Sequence, residues 1–388
     1  MYRRQILTTV AGLATIGTFP ARAATRALPL NIEAARPLPP GSPDVPDPKL
    51  VPVAQADRIW NGVTTTSDGQ VFVCFPSCDR PGIQVARLLP GSVLRPFPDA
   101  QWNALHSPSW TPADGFFQVN AIRIGPDGNL WVIDAGAPGI DRPVVAGAAR
   151  LFVFDPAKGT LLRTYDLAGG LRADSYIDDI RFNGPNLYAT DAGAAGLLVV
   201  NIATGRVRRV LDRHPLLTDR KPMRADGRLL RNDAGKLLRV QADQLEVTPD
   251  GRYLYVQSCA GPLARIETAL LDHESVGSAA LATGLVPWLE TGTTGGTAID
   301  ANGVLYLSDV NHRRILRITP DRHVSVFVAD PRLIWSDAMW IDHDHRLWIP
   351  ATQQNRTHGF QGGTQSVIYP VWLFVAKIDA GPSPLDHA

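Results

Sequence analysis

Asn120-Ala-Ile-Arg-Ile-Gly-Pro-Asp127-Gly128-Asn-Leu-Trp131 decides how this chain is read, because its pattern returns five more times. A polar residue opens each copy, apolar side chains alternate, Asp-Gly or a similar pair turns the chain, and an aromatic follows. Aligned on those aromatics, the other copies run from Asn61 to Phe72, Asp178 to Tyr188, Asp243 to Tyr255, Gly295 to Tyr306 and Asp337 to Trp348. Successive opening residues are 59, 58, 65, 52 and 42 positions apart. A four-stranded propeller blade takes about 40–50 residues, so each interval holds one blade and loops of varying length. Helical periodicity is almost absent. Short alternating segments such as Leu130–Asp134, Tyr253–Gln257 and Trp372–Ile378 are instead bounded by Gly, Pro, Asp and Asn. The sequence predicts an all-β fold, a six-bladed β-propeller forming a single domain over residues 56–380.

In a propeller the innermost strand of each blade runs along the central channel, so its opening residue faces the channel mouth. Ring closure would then gather Asn61, Asn120, Asp178, Asp243 and Asp337 from five blades. Gly295 breaks the ring at the fifth repeat and would leave room for a ligand. Any one of these residues alone would do no more than line a wet tunnel; five at matched positions point to a site for a polar ligand. Two like charges about 6 Å apart cost roughly 3 kcal/mol at an effective dielectric of 20, so such a ring needs a shared proton or a cation. Hard oxygen donors suit a divalent cation such as Ca2+ better than zinc or copper. Asn120, Asp178, Asp243 and Asp337 are the expected cation or substrate ligands. Asp178, Asp179 and Asp337 are the catalytic candidates, with Asp179 as the spare general base. Trp60, Asn61, Tyr176 and Trp335 would wall the substrate, and a loop carrying Trp102, His106 and Trp110 would cover it. Asp134, Asp191 and Asp309, each three residues past a repeat aromatic, are expected to cap turns.

The chain of 388 residues is 45% apolar and 19% charged, with a formal net charge of +1. No overall field favours nucleic acid. The basic stretch from Arg220 to Arg239 lacks interleaved aromatics and reads as a solvated loop or hairpin. Arg3-Arg4, an apolar run from Ile6 to Phe19 and Ala21-Arg22-Ala23 together resemble a twin-arginine export signal over residues 1–23. The run is too short to span a bilayer, and no later stretch is suited to membrane insertion. A periplasmic or secreted monomer acting on a small molecule is the expectation. Residues 24–55, rich in proline, read as an extended lead-in, and 381–388 as a tail. Three cysteines are too few for a disulfide scaffold, and both a Cys74–Cys78 bridge and buried free thiols are open. His343-Asp344-His345 falls in a hairpin turn and reads as surface. Nucleophile-elbow, phosphate-cradling and His-Glu-x-x-His motifs are missing, which leaves covalent serine or cysteine catalysis without support.

Trp60-Asn-Gly-Val63, Val119-Asn-Ala-Ile122 with Leu130-Trp-Val-Ile-Asp-Ala-Gly136, Tyr176-Ile-Asp-Asp-Ile-Arg-Phe182, and Asp330-Pro-Arg-Leu-Ile-Trp-Ser-Asp337 with Gln353-Gln-Asn-Arg356 resemble the Yellow/major royal jelly protein family. The resemblance spans residues 57–378 in order and looks like that of a bacterial member. It implies a six-bladed propeller. Some relatives are linked to dopachrome conversion, and others carry sterols or amines. The pattern is more distantly similar to gluconolactonase-type propellers, which hold a divalent cation through Glu, Asn and Asp. Asn120, Asp178 and Asp243 are the matching positions, while Asn61 stands where those enzymes place glutamate. The resemblance therefore implies lactone hydrolysis or a dopachrome-type isomerisation, or else a non-catalytic binder of an amine, polyphenol or sterol-like molecule.

Overall fold

The computed structural model describes residues 39–76, 78–104, 111 and 115–386. Six four-stranded antiparallel sheets follow one another around a ring. Their inner strands are Gly62–Thr65, Val119–Ile124, Ile177–Asn183, Ala242–Val247, Thr294–Ile299 and Trp340–Ile341. Each touches the next, and the sixth returns to the first. The sequence repeat is thus the inner hairpin of every blade. Its turn needs a left-handed residue, and Gly128 supplies one at φ +71°. Its aromatic sits on the second strand and is buried in all six blades, from Phe72 to Trp348. Trp131, for example, meets Phe182 of the following blade edge-on at 5.1 Å. These contacts between blades are what the recurring aromatic is for.

The ring closes through residues that the sequence reading left in the lead-in. Val51–Ala56 pairs with Val371–Lys377 as the outermost strand of blade six. Pro52 concealed it, although an edge strand tolerates proline because its outward N–H has no ladder partner. Of the expected tail, 381–388, the described residues 381–386 pack across the end of the channel opposite the mouth. Residues 1–23, the expected export signal, lie outside the described residues, as do His106 and Trp110 of the expected lid. Trp102 of that loop is no lid. Its ring packs on Phe116, Phe152 and Phe154 at 5.1–5.2 Å, inside the core. Cys74, Cys78 and Cys259 are all free thiols. The turn at His343-Asp344-His345 lies between the last inner strand and Arg346–Ala351, as read. Among the described residues no helix is long and apolar enough to cross a membrane.

Four inner strands carry an irregularity at their start, where pairing skips between Val119 and Ala121, Ile177 and Ile180, Ala242 and Leu245, and Thr294 and Thr297. A bulge of this kind adds a residue and re-aims side chains. Its effect is to set two channel-facing layers three residues apart. Asn120, Asp178 and Asp243 form the upper layer, and Arg123, Arg181 and Glu246 the lower.

Candidate functional site

The upper layer floors a cavity of about 520 Å³ at the channel mouth, large enough for a small organic molecule. Asn61, Asn120, Asp178, Asp243, Gly295 and Asp337, one from each blade, all line it, together with Tyr176 and Trp335. A hydrogen-bonded chain joins the first four. Asn61 Nδ2 donates to the Asn120 backbone oxygen at 2.5 Å, and the Tyr176 hydroxyl donates to Asn120 Oδ1 at 3.0 Å. Asn120 Nδ2 in turn donates to Asp178 Oδ1. Asp178 and Asp243 are hydrogen-bonded to each other. Gln244 Nε2 supports the outer face of Asp243 at 2.8 Å.

Burial pushes the Asp178 carboxyl up to about 6 and raises Asp243 well above the usual carboxylate range, the latter with help from the Asp178 charge. Asp243 therefore keeps the proton and donates, while Asp178 accepts. Asp337 stands apart. Its two oxygens take Trp335 Nε1 at 3.0 Å and the Ala338 N–H at 2.8 Å, and burial still raises its carboxyl well above normal. The Tyr176 hydroxyl, also raised by burial, stays a donor.

Two expected site residues belong elsewhere. Asp179 is in the lower layer, with Arg181 Nη1 at 2.6 Å and Arg123 Nη2 at 3.3 Å. Burial opposes its ionisation, but the two guanidiniums outweigh that and hold its carboxyl below the usual range. A carboxylate so held is a poor base, and the bulge between Ile177 and Ile180 is what separates it from its neighbour. Trp60 is fully buried in the core, with its Nε1 donating to the Trp372 carbonyl at 3.1 Å. The two residues lie just before the strand Gly62–Thr65, and Trp60 turns into the blade while Asn61 lines the channel mouth. Tyr176 and Trp335 lie two positions before Asp178 and Asp337 and share their side.

Gly295 borders the cavity, but the place its side chain would take is filled by the next blade. A Cβ there would lie 2.3 Å from the Ser336 oxygen and 3.1 Å from Trp335 Nε1, and one at Gly296 would lie 2.5 Å from the Asp337 carbonyl carbon. The glycine pair lets the blade-six segment carrying Trp335, itself left-handed at φ +53°, reach into the ring. Gly295→Ala is expected to cost about 1–3 kcal/mol of stability through this clash. A unchanged urea midpoint would contradict it.

The mouth is narrowed by loops that carry no periodic signal. Residues 216–241 form a roof that includes the small hairpin Arg224–Ala225 with Arg228–Leu229. It reaches blade five through Asp226 and Arg313 at 2.7 Å, and blade six through the Arg231 N–H to the Phe360 carbonyl at 3.1 Å. Ile140, Leu238, Val240 and Phe360 give the upper wall an apolar character. The basic stretch read as a solvated loop or hairpin is this roof, and it does hold a hairpin. Its apolar Leu238 and Val240, alternating among charges, were the available clue.

Asp134 and Asp191 do cap turns, Asp134 accepting the Phe117 and Gln118 N–H groups and Asp191 those of Tyr176 and Ala194. Asp309 holds His312 and Arg314.

Solved structures share the fold. A luciferin-regenerating enzyme aligns at a TM-score of 0.53 and 9% identity, over 87% of this chain and 98% of that one. A gluconolactonase from Xanthomonas campestris aligns at 0.51 and 12%, over 89% and 99%. A putative gluconolactonase aligns at 0.51 and 11%, over 89% and 95%. At such identities the likeness establishes the propeller and nothing finer. No curated protein matches the sequence. The sequence pattern of the family described as Major royal jelly protein matches residues 118–372, well over half the chain and five of the six ring positions, and the chain belongs to that family.

Proposed function

We propose that the chain is an exported enzyme that performs acid–base chemistry on a small molecule at the channel mouth, either lactone hydrolysis or a dopachrome-type isomerisation. The observation that carries this reading is the Asp178–Asp243 pair, an ionisable acceptor beside a protonated donor on the floor of a deep pocket. Pairs whose environments push their proton affinities apart supply a base and an acid to one substrate. Asp178 replaces Asp179 as the base, because the arginines that neutralise Asp179 do not reach it. It would take a proton from water or from a carbon next to a carbonyl, and Asp243 would return one to the leaving or rearranging atom. Trp335 and the apolar upper wall would hold the organic body and exclude water.

The donor set suits a divalent cation, with calcium the choice for oxygen-only ligands. Asp178 and Asp243 converge without a positive partner, and Asn120 lies beside them. Among the described residues no three His, Cys, Asp or Glu side chains gather closely enough to hold a metal ion, so the cation would depend on two carboxylates and an amide. In the alternative with a bound cation, Asp178, Asp243 and Asn120 would hold it in place of the proton the two acids share, and Asp337 would be the free carboxyl facing the substrate. When bound it would polarise a carbonyl and acidify a coordinated water. The apolar wall above an acidic floor favours a second reading, a non-catalytic binder of an amine or polyphenol.

Turnover of lactones or dopachrome by the purified protein, with and without added calcium, separates the two; saturable ligand binding without turnover sinks the enzyme. A stability measurement addresses the cation. Asp178 binds its proton more tightly folded than unfolded, so its contribution is full below the ordinary value of 3.8. It is lost as pH rises through about 6. In chelator, the melting temperature is expected to fall across that window, and calcium should restore it at pH 8. No calcium response after exhaustive chelation would remove the metal.

A further inference from the structure

Below the site, the channel is blocked by charge. Arg181 binds Glu246 through Nη2 at 2.6 Å and Nε at 2.8 Å, and Asp179 through Nη1 at 2.6 Å. Thr297 donates to Glu246 at 2.9 Å. Arg123 completes the layer with a single longer contact to Asp179 and its guanidinium over the Trp340 ring at 5.5 Å. Arg123 Nε is buried and has no hydrogen-bond partner. Beneath it lies a cavity of about 10 Å³ bordered by Arg123, Trp340, Ser383 and Asp386.

The far wall of that cavity comes from the segment after the last strand. Ile378 belongs to the core of blades five and six. The Gly381 carbonyl accepts the Ala301 N–H of blade five at 3.0 Å, and Pro382 forms a bridge with Asp300. Leu385 packs on the core of blades three and four. Blades three to six are thus strapped across the channel end. Ser383 and Asp386 are buried at 1% and 8% exposure, and the Asp386 charge acts on Arg181. A buried carboxylate costs stability unless a cation answers it, and Arg123 is the cation there with donor capacity to spare.

We propose that residues 379–386 are a plug, docked through Asp386 onto Arg123, that makes the propeller channel a blind pocket with one entrance. The small cavity has room for about one water, which Arg123 Nε, Ser383 Oγ and the Asp386 carboxylate would hold as the bridge. Substrate and product then share the upper mouth, and solvent cannot reach the site from beneath. The proposal does not depend on the chemistry performed above.

Hydrogen exchange read by mass spectrometry tests it on the whole chain and on a chain ending at Ile378. In the shortened chain, amides of residues 339–342 and 179–183 are expected to exchange ~10-fold faster or more, while the outer strands of blades one to three stay unchanged. A synthetic peptide of residues 379–388 should restore protection saturably, and the same peptide with Asp386→Asn should bind several-fold more weakly. Unchanged exchange and no peptide binding would overturn the plug. Should the shortened chain not fold, full-length Asp386→Lys takes its place. It sets a second cation against Arg123 and should accelerate exchange at 339–342 with the rest of the fold intact; no acceleration would equally overturn the proposal.

Discussion

Asp178→Asn is expected to lower kcat/KM by about 10²–10⁴-fold, the range that loss of a positioned general base produces. The equivalent loss is roughly 3–5 kcal/mol of transition-state stabilisation. The substitution keeps the shape of the side chain and can still accept from Asn120, so the pocket should stay formed. Stability should move the other way. The wild-type carboxyl ionises against its burial, and a neutral amide does not, so in chelator at pH 8 the variant should melt higher than wild type. That opposition of activity and stability marks a functional acid. Asp179→Asn should behave differently: it strips a partner from Arg123 and Arg181, destabilises the protein and has no direct part in proton transfer. If Asp178→Asn keeps wild-type turnover while Asp179→Asn abolishes it in a folded protein, the assignment of the base is wrong.

Arg181→Met should be the most destabilising single change in the channel, by about 3–5 kcal/mol, because it leaves Glu246 and Asp179 buried without their cation. The guanidinium is 1% exposed and spends all three nitrogens on these two acids and the Ile180 carbonyl. Glu246→Gln alone should cost less, since Asp179 still answers the arginine. In the double variant the two losses should fall well short of adding, because the second substitution removes a charge already orphaned. Urea unfolding of the four proteins measures this directly. A loss below about 1 kcal/mol for Arg181→Met would show that the layer is wet and the charges screened.

The ring was legible from spacing alone, because a closed propeller forces residues at the same place in every repeat to the same place in space. Asn61, Asn120, Asp178, Asp243, Gly295 and Asp337 needed no finer information to be brought together. What spacing could not carry was direction. Trp60 and Asn61 immediately precede the first inner strand and part, one into the core and one into the channel, a direction that spacing does not set. Asp178 and Asp179 are neighbours at a bulge, where parity fails and two adjacent acids enter different layers with opposite electrostatics. Gly295 shows a related limit: a missing side chain reads as space, yet here backbone from the next blade fills it. The roof over the pocket was beyond reach because its position depends on partners such as Arg313 and Phe360, far away along the chain.

The pairing of Val51 with Val375 has a consequence for how the molecule is made. These two positions lie 324 residues apart, so the circle cannot close until blade six has been made. Until then blade one lacks a neighbour on one side and the strand Val51–Ala56 has no partner. Contacts so remote in sequence form slowly, and a waiting sheet edge can recruit the same strand from another copy. Losing residues 51–56 would bare the edge of Val371–Lys377, and oligomers joined edge to edge, rather than a smaller monomer, are the expected product.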